Sequence, residues 1–99
     1  MAIVADAKKI FDNESVSAGT YSDSFYIILA EQLTLIIETD VDAEIVLQAH
    51  DGFDWQDVDT IQTTGGVSVK KHYLSVWGSV ARLLVNTDCT ITAKYIVKR

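Results

Sequence analysis

Apolar and polar residues alternate with a period of two along much of the chain. In CTITAKYIVK, Cys89, Ile91, Ala93, Tyr95 and Val97 fall on one side and Thr90, Thr92, Lys94 and Lys98 on the other, the pattern of a strand with one buried face. AEIVLQAH places Ala43, Ile45, Leu47 and Ala49 on an apolar face and Glu44, Gln48 and His50 opposite, with Val46 interrupting the polar side. In VARLLVN, Ala81, Leu83 and Val85 face inward while Arg82 and Asn86 face solvent, with Leu84 between them. The glycines fall between apolar runs, and proline is absent. Asp51-Gly52 predicts a hairpin with a type I′ turn, because both central residues of that turn need positive φ. TDVD at 39–42, TTGG at 63–66 and NTD at 86–88 mark further turns. Strands are predicted over 9–17, 24–30, 33–39, 43–50, 55–63, 67–76, 80–86 and 89–97. About eight short strands with tight connections predict an all-β fold, a two-sheet antiparallel β-sandwich or jelly roll.

Two segments are ambiguous. Phe25, Ile28, Leu29, Leu33, Ile36 and Ile37 also fit a helical stripe, and Ala30, Glu31 and Gln32 are good helix formers. The Ile, Tyr, Phe and Thr on either side of that tripeptide favour two strands over residues 24–37. AIVADAKKIF admits an arm over residues 1–12 or a short helix packed on a neighbour.

Length and composition narrow the picture. A chain of 99 residues with 48% apolar content suffices for one domain with its own core. Cys89 is the sole cysteine, which excludes an intrachain disulfide framework. The N-terminal stretch lacks the features of a secretory signal. FYIILAEQLTLII carries Glu31 and Gln32 at its centre and is too short to span a bilayer, so a soluble protein is expected. The net charge of −6 is unevenly placed: residues 31–59 hold nine acids and no Lys or Arg, while residues 67–99 hold six bases and the single acid Asp88. A basic patch from Lys70, Lys71, Arg82, Lys94, Lys98 and Arg99 lacks the interleaved aromatics of a nucleic-acid platform, and the net field opposes phosphate. The plainer account is that acidic and basic strands lie side by side as cross-strand pairs.

HDGFDWQDVDT, residues 50–60, concentrates the candidate chemistry. Asp51, Asp54, Asp57 and Asp59 do not follow the spacing of a calcium loop, so a solvated turn and an acidic strand edge are expected and no metal. Phe53 and Trp55 share a face if the strand begins at Phe53; packing is the default reading and an exposed platform the alternative. Tyr73, Ser75 and Trp77 would likewise share a face, with Trp77 between the sheets or at a subunit interface. Cys89 lies on an apolar face, where a thiol is inert packing. His50 and His72 lack zinc-ligand spacing and read as surface strand residues. Phosphate-binding glycine loops are absent, because Gly65 and Gly66 precede a strand. No catalytic constellation and no cofactor site follow from these residues.

TLIIETD, then EIVLQAHDGFDWQDVDTI, TTGG and YLSVWGSVARLLVNTDCTITAKYIV resemble, in order and layout, small β-sandwich structural proteins of tailed-phage virions, including capsid decoration or cement proteins and tail-associated domains. In those proteins a strand leads through a D-G turn to a Trp-bearing strand, and a later strand with an Arg-Leu-x-Val core precedes a final alternating strand. Here these points fall at Asp51, Gly52, Trp55 and Arg82 to Val85. Residues upstream of Leu33 carry no such likeness. The resemblance implies a non-enzymatic virion structural protein, assembled in the host cytoplasm and bound to the major capsid protein or other virion proteins as a homo-oligomer. The charge split suggests heterologous contacts that close into a ring such as a trimer. The same layout occurs in carbohydrate-binding modules, in which Phe53, Trp55 and Tyr73 would form a stacking surface, and in tail or fibre domains. A cellular interaction domain is a third possibility. Interface or ligand candidates are therefore Phe53, Trp55, Tyr73 and Trp77; no nucleic-acid or membrane partner is expected.

Overall fold

The computed structural model describes residues 5–74 and 78–99. Among these lie nine strands: β1 (Ala5–Val16), β2 (Thr20–Tyr21), β3 (Phe25–Tyr26), β4 (Gln32–Thr39), β5 (Ala43–His50), β6 (Trp55–Thr63), β7 (Ser68–Tyr73), β8 (Val80–Val85) and β9 (Cys89–Lys98). They form two antiparallel sheets. Sheet A runs β1-β9-β4-β7; sheet B runs β2-β8-β5-β6, with β3 also on β8. The pairs β5–β6, β4–β7, β2 and β3 with β8, and β1–β9 nest inside one another. The chain is thus one long hairpin with its tip at β5–β6, rolled until β4 meets β9 and β5 meets β8. That is jelly-roll connectivity.

The alternation read from the sequence fixes what is buried. Leu33, Leu35 and Ile37 of β4 and Ile91, Ala93 and Val97 of β9 meet Ile45, Leu47, Ala49, Ala81, Leu83 and Val85 of sheet B, all at 0% exposure. Removing such side chains from water is the main stabilising term, about 1.5–3 kcal/mol for each large one. On the side between β1 and β3 the core is closed by Phe25 stacked on Tyr95, ring centroids 4.4 Å apart. On the other side Tyr73 of β7 reaches across to β6, where its hydroxyl donates to Asp59 Oδ2 at 2.9 Å. Near the β4–β5 end, the Thr39 and Thr63 hydroxyls lie 2.6 Å apart in the interior and link the sheets.

Several sequence expectations are corrected. The predicted strand over 24–30 is strand only at Phe25–Tyr26, and residues 24–37 contain no helix. The chain turns at Ile27–Ala30, closed by Ala30 N donating to Ile27 O at 3.0 Å, with Leu29 at φ 59°. Positive φ at the third residue alone is the type II arrangement, which normally calls for glycine there. Residues 5–12 do not extend as an arm, because they belong to β1 and pair with β9 of the same chain. Asn13, at φ 53°, sits within the register shift between Phe11 and Glu14 in that pair, in a conformation asparagine tolerates better than most residues.

Candidate interaction surface

On the outer face of sheet B, the register sets Arg82 of β8 opposite Gln48 of β5 and Gln48 opposite Asp57 of β6. The three form a hydrogen-bonded ladder across the strands: Arg82 Nε donates to Gln48 Oε1 at 2.9 Å, and Gln48 Nε2 donates to Asp57 Oδ1 at 2.8 Å. The guanidinium also lies 3.9 Å from the ring centroid of Tyr21 and 4.0 Å from that of Trp55. His50 meets Trp55 edge-on, with centroids 5.2 Å apart. Covered by this layer, Gln48 is buried although it lies on the outward side of its strand. A planar cation fits between rings because it is weakly hydrated and its flat faces meet the negative π surfaces. Trp, Tyr and Arg are also the side chains most often dominant in protein interfaces. Tyr26, beside this layer, is 70% exposed.

The stretch 50–60 sits at the rim of this face. It is not a two-residue type I′ hairpin: four residues connect His50 to Trp55, and only Gly52 has positive φ, at 101°. Asp51 organises the loop by accepting from Phe53 N and Asp54 N, each at 2.7 Å, while its own N donates to Asp54 O at 3.0 Å. The Asp54 and Phe53 amides, in that order, hold the Asp51 carboxyl below the usual carboxylate range. The four aspartates diverge: Asp51 caps the turn, Asp57 serves Gln48, Asp59 serves Tyr73 and Asp54 is exposed. Among the described residues no three His, Cys, Asp or Glu side chains converge on a metal position.

Phe53 lies in the loop at 89% exposure and β6 begins at Trp55, so the condition for the two to share a strand face is not met. Trp55 begins β6 and is half-buried, with one ring occupied by Arg82. Tyr73 ends β7 and points inward to Asp59, away from Trp55. Burial and the neighbouring Asp59 carboxylate push its phenol well above the ordinary range. Trp77 and Ser75 lie outside the described residues. The structure therefore does not assemble Phe53, Trp55 and Tyr73 into one stacking platform. It groups Trp55 with Tyr21 and Arg82, and Tyr21 carried no sequence signal beyond lying before a strand. A Cβ on Gly78, at φ 91°, would collide with His50 O, so glycine is required where the chain enters β8 beside this rim.

The outer face of sheet A is different in charge. Lys9, Lys94, Ile36 and Lys70 follow one another across β1, β9, β4 and β7, and Lys98 lies on the same side of β9. Lys9 pairs with Asp12 at 3.2 Å, and nearby Glu38 accepts from Ser68 Oγ at 3.0 Å. Lys70, Lys94 and Lys98 of the basic half thus join Lys9 on sheet A, whereas Arg82 of that half lies on sheet B, where Glu44 and Asp57 also face outward.

No protein-family model matches the sequence, and no curated relative does. Solved structures share the fold. The SPBc2 prophage-derived protein YomS superposes with a TM-score of 0.66 at 17% identity, over 100% of this chain and 98% of its own. PirA gives a TM-score of 0.51 at 12% identity, over 96% and 93% of the two chains. A protein from Bacillus endospore appendages, described as a family of disulfide-linked pili, gives 0.51 at 13% identity, over 99% and 88%.

Proposed function

We propose that this protein is a non-enzymatic structural subunit of a virus particle, a capsid decoration or cement protein that binds the capsid surface as a homo-oligomer. The observation that carries this reading is the end-to-end likeness to a prophage-derived protein, matched over all of one chain and 98% of the other. The fold shared with a spore-appendage protein is consistent with a building block of an extracellular or virion assembly. In this reading Tyr21, Trp55 and Arg82 dock on the major capsid protein or another virion protein, with Phe53 projecting from the rim. A preorganised ring-cation-ring layer loses little side-chain entropy on binding. The lysine row on sheet A meets acidic surface on the next copy, a heterologous contact of the kind that closes into a trimer.

Quantitative mass spectrometry of purified particles tests the role: a high, fixed copy number is expected, and absence from particles overturns it. Solution mass at low and high salt tests assembly, with an oligomer at low salt that weakens as salt rises; a monomer in both conditions overturns the charge-driven contact.

A further inference from the structure

The sandwich has an opening that the reading above does not use. Between Tyr21 and Phe25 the edge of sheet B is interrupted, because Ser22 turns its hydroxyl to accept from Leu83 N at 2.8 Å and to donate to Asp23 O at 2.9 Å. Asp23 and Ser24 therefore bulge out of the strand path, and a recess of about 240 Å³ remains between this segment and β1. At its base is Tyr95, whose ring is fixed against Phe25 and only 8% exposed. Its hydroxyl has no hydrogen-bond partner among the described residues. No buried side-chain nitrogen or oxygen there is both dehydrated and unpaired, so this hydroxyl opens into the recess that Tyr95 lines. Lys8 is paired with Tyr95 in the β1–β9 register and stands on the same inward side. Lys9 is held by Asp12, whereas Lys8 and Asp23 make no ion pair among the described residues. Tyr26 borders the recess and is 70% exposed.

We propose that this recess binds a small polyhydroxylated carboxylate, the chemistry of a uronic acid residue, whether free or at the end of a glycan. The Lys8 ammonium takes the carboxylate in a charge-assisted hydrogen bond. The Asp23 carboxylate accepts from sugar hydroxyls, and the Tyr95 and Ser24 hydroxyls both donate and accept. With Lys9, which also lines the recess, paired to Asp12, Lys8 opposed by Asp23 disfavours a doubly charged anion such as phosphate. The volume holds one ring. None of Tyr21, Trp55 and Arg82 lines this recess, although Tyr26 borders both surfaces.

Titration of the amide NMR spectrum with glucuronate, glucose and inorganic phosphate tests the assignment. Glucuronate is expected to give saturable shifts confined to residues 8–10, 23–26 and 95, with glucose and phosphate at least roughly tenfold weaker. Tyr95→Phe keeps the ring stacked on Phe25 and is expected to weaken glucuronate binding several-fold. Lys8→Gln, at an exposed edge position, is expected to erase the preference for glucuronate over glucose. Galacturonate and a glucuronate-terminated disaccharide separate a free acid from a glycan end. Absence of saturable shifts, shifts centred elsewhere, an equal response to glucose or phosphate, or unchanged affinity in both folded variants would overturn the site. None of these outcomes bears on whether the protein occurs in particles.

Discussion

At the residue scale, Arg82 and Leu29 show what a single side chain can decide. Arg82 contacts two rings and Gln48 at once. Arg82→Ala is expected to destabilise the protein by about 1–2 kcal/mol in urea unfolding, from lost cation–π contact and an unpartnered Gln48 oxygen. Arg82→Lys should recover only part of that, because an ammonium lacks the planar faces and the fork. Leu29 is 84% exposed and sits at positive φ. A conformation that costs leucine about 1–2 kcal/mol and buries nothing is a local stability debt. Leu29→Gly is expected to raise the urea midpoint, offset in part by the greater freedom of glycine in the unfolded chain. Tyr73 links pH to stability. Its phenol is raised in the folded protein, so its contribution is complete below the ordinary tyrosine range near 10 and falls away as pH rises through the folded value. Tyr73→Phe is expected to flatten the alkaline arm of the stability profile, and a phenolate absorbance titration of the folded protein should show one late-titrating tyrosine that the variant lacks.

At the element scale, strands β5, β6 and β9 were legible because they alternate strictly or end at clear turns, and β5 and β6 match the expected bounds. The segment around Phe25 was not. Its apolar residues divide between a two-residue strand, a turn and the start of β4, and no local pattern signals a turn whose critical position holds leucine instead of glycine. The loop at 51–54 was recognisable as a turn, but its class was set by the Asp51 carboxylate capturing two amides. That capture delays the start of β6 to Trp55 and strands Phe53 in solvent. The interaction surface was half legible: the alternation put Gln48 and Arg82 outward, but which strand lies beside which is a long-range property. Arg82 and Gln48 are 34 positions apart, and Tyr21 joins them only because β2 is added to β8. The recess beside β1 was illegible for the same reason, since Lys8 and Tyr95 come from nearly opposite ends of the described chain.

At the scale of the whole molecule, nearly all stabilising pairings join distant segments. Among the described strands only β5–β6 is a short hairpin, and each outer pair in the nest encloses a longer loop whose entropy is lost before its contacts form. Folding is therefore expected in the millisecond-to-second range typical of such β topologies, and stopped-flow tryptophan fluorescence checks this; microsecond refolding would contradict it. The nested order has a consequence for the cell. As the polypeptide leaves the ribosome, β1 emerges early yet its partner β9 is translated last of the nine, so the longest strand waits without a mate while the inner pairs assemble. Chains that have emerged as far as Val85 should then hold the β5–β6 and β4–β7 pairs with β1 still open to a chaperone, and emergence of β9 is the event that seals the roll.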